Sequence, residues 1–172
     1  MTIPHTIACM WPGETVAILG NGPALAAELA TTERPGRAIA VNRAAAVAPW
    51  ADMLVSIDGN WPAETSDFAG MRVVGVESDI DAFYVHLPHE VVTLAPGNIV
   101  HLRNNAMSAM RIAAAAGAAK LVLFGFDTEC YEELHSFSGL TIGLAALIAE
   151  LRAKGVQVEH YTPPAPPKKK GA

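Results

Sequence analysis

The 172-residue sequence has few cysteines, no long apolar run and no excess of basic residues. Its two cysteines, Cys9 and Cys130, have neither metal-ligand spacing nor the number that a disulfide framework needs, so we interpret them as reduced structural thiols. No apolar run approaches the roughly 20 residues of a membrane helix, and the first 14 residues lack the basic and apolar regions of a signal peptide. We therefore expect a cytoplasmic protein without membrane contact.

The charge balance is acidic, with a formal net charge of −5. Lys168, Lys169 and Lys170 lie in a Pro-rich tail, residues 163–172, that we expect to be disordered. Without these three lysines, 9 basic residues face 17 acidic ones, which leaves a net charge of −8. A nucleic-acid-binding surface normally carries a basic stripe, so the sequence predicts no nucleic-acid partner.

The order of the hydrophobic runs predicts the fold class. Aliphatic runs such as Thr15–Gly20 and Lys120–Asp127 alternate with Ala-rich helical stretches, as in βαβ units. We predict an α/β fold, a Rossmann-like three-layer sandwich with a mostly parallel central sheet. It spans residues 15–162, after an N-terminal extension of residues 1–14. The small size and apolar composition also suit a homo-oligomer.

Several predicted strands end in glycine, asparagine or aspartate. These ends are Gly20-Asn21-Gly22-Pro23, Asn42, Asp58-Gly59 and Gly125-Phe126-Asp127. In a doubly wound parallel sheet the carboxyl ends of the strands lie along one edge, and ligands bind there. We therefore expect a binding site for a small molecule at this edge.

The loop Gly20–Pro23 is the strongest local signal. Its glycines allow the backbone to approach a ligand, and the N-terminus of the next helix favours an anion. It is not a dinucleotide fingerprint, because Leu25 replaces the third glycine and Asn42, not an acidic residue, ends the second strand. It also lacks the Gly-Lys-Ser/Thr ending of a P-loop. The alternative is a tight strand-to-helix turn with no ligand.

Four polar residues have both a binding and a structural interpretation. The amide of Asn42 suits a base or a ribose, but asparagine is also a common turn residue. Asp58 suits a ribose hydroxyl or a metal ion, although Asp-Gly also forms turns. Of Asn104 and Asn105, one is predicted to cap the following helix, which leaves the other amide for the ligand.

Asp127 and His135 follow the most strand-like run of the sequence. Asp127 begins an acidic group that includes Glu129, Glu132 and Glu133, whose spacing predicts a cation only weakly. We assign no metal ligands. His135 lies in a short loop before a helix, where a general acid or base belongs; the alternative is a loop histidine without a catalytic role.

The run AILGNGPAL, then AVNRA, then LVLFGFD with a histidine downstream resembles two related groups. These are the bacterial sialyltransferases of glycosyltransferase family 42 and the MptE-like 6-hydroxymethylpterin diphosphokinases. Short phage and prophage proteins carry the same signature. The resemblance covers residues 16–162 in islands. It implies nucleotide contacts by Asn21 and Asn42, a contribution from Asn104 and Asn105, and a general base at His135.

The chain departs from the sialyltransferases in two places. Their loop before the long helix has small residues where this chain has Asn104 and Asn105. They also insert a lid before the histidine, whereas only seven residues separate Asp127 from His135 here. With these departures, the resemblance still implies a nucleotide- or nucleotide-sugar-binding transferase of glycosyltransferase type. The alternatives are a non-catalytic nucleotide-binding module and a diphosphokinase-like enzyme that would require Mg²⁺.

Overall fold

The computed structural model describes residues 7–56, 67–74, 83–84, 90–95, 98–102, 104–126 and 138–163. Nine strands and four helices lie within these ranges. In chain order they are β1 (Thr15–Leu19), α1 (Leu25–Ala30), β2 (Ala38–Val41), α2 (Ala44–Val47), β3 (Met53–Val55), β4 (Met71–Val74), β5 (Phe83–Tyr84), β6 (Glu90–Ala95), β7 (Asn98–Leu102), α3 (Asn105–Ala115), β8 (Lys120–Phe124), α4 (Ser138–Ala153) and β9 (Gln157–His160).

The described strands form one large parallel sheet and one hairpin. The sheet has seven strands in the order β5-β4-β3-β2-β1-β8-β9, and every neighbouring pair is parallel. Strands β6 and β7 pair with each other in antiparallel fashion, and β6 lies against α4. The sequence predicted a single short strand around Val91–Leu94, where the structure has this hairpin. The parallel α/β architecture is confirmed.

Alternate residues of the central strands pack into two hydrophobic cores, one on each face of the sheet. Val16 and Ile18 of β1 belong to the core under α3 and α4, whereas Ala17 and Leu19 belong to the core under α1 and α2. The second core is rich in alanine at the strand positions, including Ala38 and Ala40, which lets the short helices pack close to the sheet. Helices therefore cover both faces, as predicted for a three-layer sandwich.

The two long helices end at glycines in the left-handed conformation. Gly117 has φ +95° and Gly155 has φ +87°. After α3, the N–H of Gly117 donates to Ala114 O and the N–H of Ala118 to Ala113 O. These two bonds satisfy carbonyls at the helix end in the Schellman arrangement. The same arrangement follows α4, so both glycines act as the helix terminators that the sequence predicted.

Trp11 anchors the segment before β1 in the core, and an ion pair joins α3 to α4. Trp11, in the predicted N-terminal extension, is only 5% exposed and belongs to the core beneath α3 and α4. Arg111 of α3 donates to both carboxylate oxygens of Glu150 on α4, at 3.2 and 3.1 Å. Hydrogen bonds from Lys154 and Arg111 hold the pKa of Glu150 below its ordinary value. The hydrogen bonds between Arg111 and Glu150 hold α3 and α4 side by side.

Candidate ligand-binding site

The strand order creates a topological switch point between β1 and β8. The chain leaves β1 toward β2 on one side, and it leaves β8 toward β9 on the other. The loops that follow β1 and β8 therefore diverge over opposite sides of the same edge. In open α/β sheets this divergence forms the crevice in which ligands bind. The predicted loop Gly20–Pro23 and the predicted Gly125 lie at this position.

The strand register brings the described candidates to one level of the sheet. Leu19 pairs with Ala40 of β2 and with Phe124 of β8, and Val41 pairs with Val55 of β3. Continuing this register places Gly20 beside Gly125, Asn21 beside Asn42, and Asn42 beside Ser56. Asp58, Asp127 and His135 lie outside the described residues. The described strand-end residues thus share one edge, as the sequence predicted.

The glycines after β1 and β8 allow the two loops to touch. The N–H of Gly20 donates to Phe124 O at 2.8 Å, and the N–H of Gly22 donates to Gly125 O at 2.9 Å. A Cβ on Gly20 would lie 2.7 Å from Gly125 O. Gly125 has φ +65°, and a Cβ there would lie 2.9 Å from the Cβ of Leu25. Close packing of the two loops therefore requires both glycines, independently of any ligand.

Glu28, in α1, also contacts the switch point. Its carboxylate accepts the N–H of Gly125 at 2.6 Å. The N–H groups of Gly22 and Gly125 are therefore both engaged within the protein. Sequence reasoning did not identify Glu28, because a glutamate in an Ala-rich helix carries no sign of what it touches in the folded chain. Its negative charge makes the described parts of the loops after β1 and β8 less suited to binding an anion than their glycines alone would suggest.

Asn21 connects the first loop to the second. Its side-chain Oδ1 accepts the N–H of Ala44, the first residue of α2, at 3.0 Å. One of the helix-start N–H groups that lack an intrahelical acceptor is thereby satisfied. The side chain expected to contact a nucleotide thus also orders the turn that carries Asn42.

Asn42 has an unusual backbone and an unsatisfied side chain. Its φ is +47°, a left-handed conformation that asparagine tolerates better than most residues. Its backbone is bonded, because its N–H donates to Val55 O at 3.1 Å and its carbonyl accepts the N–H of Ala45 at 3.3 Å. Its Oδ1 is the one buried side-chain nitrogen or oxygen atom of the described residues that has no hydrogen-bond partner. Turn formation explains the backbone but not this buried oxygen.

Asn104 and Asn105 lie at the start of α3. The side-chain Oδ1 of Asn104 accepts the N–H of Met107 at 3.0 Å, so Asn104 is the N-cap. Asn105 is the first residue of the helix and is half-buried. Because α3 leads back to the amino end of β8, its N-terminus lies at the carboxyl edge of the sheet. The sequence prediction that one asparagine caps the helix is confirmed.

Within the described ranges, no three histidine, cysteine, aspartate or glutamate side chains are grouped so that they could hold a metal ion. The helices in those ranges are all too short or too polar to cross a membrane.

No protein-family model matches the chain, and no curated protein matches it. The case for a function therefore depends on the residues at the switch point.

Proposed function

We propose that this chain binds a nucleotide or a nucleotide-sugar at the carboxyl edge of its parallel sheet, as a transferase of the glycosyltransferase type. The observation that carries the proposal is the buried, unpartnered amide oxygen of Asn42. A buried acceptor without a donor costs about 1–3 kcal/mol, which a ligand N–H or O–H would remove. The base and the ribose of a nucleotide both offer such donors.

The position of Asn42 supports the proposal. It follows β2, next to the switch point where open α/β sheets bind ligands. Its backbone is held by bonds to Val55 and Ala45, so the amide starts from a defined backbone position. A donor-and-acceptor group on an ordered turn suits the recognition of a base edge or of ribose hydroxyls.

The catalytic part of the proposal comes from the resemblance to the sialyltransferase and diphosphokinase group. His135 would act as general base on an acceptor hydroxyl. From their positions after predicted strands, Asp58 or Asp127 would hold ribose or a cation. These three residues lie outside the described part of the chain. Their roles are inferred from sequence alone.

A non-catalytic nucleotide-binding module is the second candidate, and Glu28 favours it. A transferase must hold the phosphate next to the reacting atom with groups that stabilise its charge. Here the N–H of Gly125 already donates to the Glu28 carboxylate. A protein that binds a nucleotide only through its base and ribose has no need of that N–H.

Ligand-induced stabilisation tests the binding proposal. The panel is CMP, UMP, GMP and AMP, their diphosphates and nucleotide sugars, with and without Mg²⁺. A ligand at 100 times its Kd stabilises the native state by about 2.7 kcal/mol, which raises the Tm of a chain this size by roughly 5–10 °C. Asn42→Gly should reduce the shift, because it removes the amide and still accepts φ +47°. No shift with any member of the panel would refute the proposal.

His135→Ala separates the two candidates once a ligand is known. In a transferase, the variant should keep its affinity for the donor, and its turnover rate should fall at least about a hundredfold, the usual contribution of a general base. A binding module has no turnover to lose. Stabilisation that appears only with Mg²⁺ and an adenine nucleotide would favour the diphosphokinase-like reaction instead.

A further inference from the structure

Arg43, which directly follows Asn42, differs from every other lysine and arginine of the described residues. Its side chain is exposed and makes no hydrogen bond, ion pair or ring contact within the described structure, although its backbone carbonyl accepts the N–H of Ala46 at 3.0 Å. The other lysine and arginine side chains in the described ranges all have partners. Their partners are Trp50 for Arg34, Glu14 and Asp52 for Arg37, Phe68 for Arg72, Glu150 for Arg111 and Lys154, Val158 for Arg152, and Glu159 for Lys120.

Among the described residues, Glu28 and Arg43 place opposite charges at different positions of the carboxyl edge. Glu28 places a carboxylate at the loops of β1 and β8, where it accepts the N–H of Gly125. Arg43 places an unpaired positive charge at the end of β2, next in sequence to Asn42, whose Oδ1 has no partner. An anionic group of a bound ligand is repelled from the first position and attracted to the second.

We infer that Arg43 binds the phosphate group of the ligand whose base or ribose is held by Asn42. The inference rests on the proposed function and adds the orientation of the ligand. The phosphate lies over the β2 side of the edge, away from Glu28 and the loop Gly20–Pro23. Arginine suits this role because its planar guanidinium donates two parallel hydrogen bonds to phosphate oxygens.

The experiment compares each nucleoside with its 5′-monophosphate, for cytidine, uridine, guanosine and adenosine, by calorimetric titration of the full chain. We expect the monophosphate to bind more tightly than the nucleoside by about tenfold, the value of one charge-assisted hydrogen bond. Arg43→Gln should remove this difference and leave nucleoside affinity unchanged. Asn42→Gly should weaken the nucleoside and the monophosphate together.

Arg34→Gln is the matched control. It makes the same change of charge on another exposed arginine, in the loop between α1 and β2 at the opposite edge of the sheet. This variant should keep the preference for the monophosphate. As an independent readout, salt from about 0.01 to 1 M should weaken monophosphate binding to the parent chain, because it screens exposed charges. The effect should be absent from Arg43→Gln.

The outcomes distinguish this inference from the function on which it rests. If neither nucleosides nor monophosphates bind the parent chain, and no nucleotide or nucleotide-sugar of the stabilisation panel raises its Tm, the proposed function is wrong. If they bind and Arg43→Gln keeps the full preference for the monophosphate, only the role of Arg43 is overturned. Loss of the preference in both Arg43→Gln and Arg34→Gln would also overturn it, because the effect would then follow net charge and not position.

Discussion

At Asn42, backbone conformation and side-chain burial affect stability in opposite directions. The positive φ of +47° favours asparagine or glycine over most residues. The buried Oδ1 without a partner lowers the stability of the folded state. A glycine would satisfy the first requirement and avoid the second. The presence of asparagine therefore suggests that its amide serves a purpose other than folding.

This contrast leads to a prediction about stability without ligand. Asn42→Gly should have a free energy of unfolding equal to that of the parent chain or up to about 1 kcal/mol higher, because it removes an unsatisfied buried acceptor. Asn42→Ala removes the same oxygen but adds a Cβ in the left-handed region, so it should be less stable than the glycine variant by about 1 kcal/mol. Urea unfolding at neutral pH measures both differences.

Equal losses of stability in the two variants would change the interpretation of Asn42. If both variants lose the same free energy of unfolding, and more than about 1 kcal/mol, the amide oxygen makes a stabilising hydrogen bond in solution. The observation that supports a ligand would then be lost. Asn21 provides no such ambiguity, because its Oδ1 has a defined protein partner, the N–H of Ala44.

Among the secondary-structure elements, α3 shows how far local sequence determines structure. Residue type predicted that one asparagine of the pair Asn104-Asn105 caps the helix and that Gly117 ends it. Both have the expected geometry, with Asn104 accepting from Met107 and Gly117 at φ +95°. These signals are local, because a cap and a left-handed terminator depend only on residues within one turn of the helix.

The cap at Asn104 can be tested separately from a ligand contact. Asn104→Ala should lower the free energy of unfolding by about 1 kcal/mol, whereas Asn104→Ser should retain it, because serine also caps helices. Denaturant unfolding of the two variants gives the comparison. An alanine variant as stable as the parent would show that the 3.0 Å bond to Met107 contributes nothing.

Nucleotide affinity in Asn104→Ser then addresses the role implied by the family resemblance. This variant keeps the cap and loses only the amide, so an affinity change cannot arise from a frayed helix. Reduced affinity at unchanged stability would assign a ligand contact to Asn104. Unchanged affinity would leave Asn104 as a helix cap alone.

At the scale of the whole molecule, the site depends on the approach of two loops that are far apart in sequence. The loops after β1 and β8 touch through Gly20 and Gly125, and Glu28 of α1 bonds to the second of them. This contact exists because β8 enters the sheet next to β1. The spacing between the loops therefore sets the shape of the crevice.

Gly20→Ala tests this spacing. The added Cβ would lie 2.7 Å from a backbone oxygen, that of Gly125, so the loops must separate. We expect a loss of about 1–3 kcal/mol in the free energy of unfolding, as for overpacked cores. Gly36→Ala is the matched control, because a Cβ there meets nothing within 4 Å. It should be neutral or slightly stabilising, since alanine restricts the unfolded chain more than glycine does.

Equal stability of the two alanine variants, measured by urea unfolding, would show that the loops are not tightly packed. If Gly20→Ala alone is destabilised but still binds nucleotide with unchanged affinity, the crevice tolerates the separation of the loops. Ligand binding then does not depend on the loop after β1. Reduced affinity would place the ligand against both loops.

The sequence was sufficient for the fold class, the long helices with their glycine ends, and the strand ends at which polar residues collect. Each of these depends on short-range information, namely hydrophobic alternation, helix propensity and the backbone preferences of glycine and asparagine. The placement of β8 beside β1, the bond from Gly125 to Glu28 and the unpartnered oxygen of Asn42 come from the tertiary structure. They required it because residues 97 positions apart, such as Glu28 and Gly125, meet only when packing sets strand order and register.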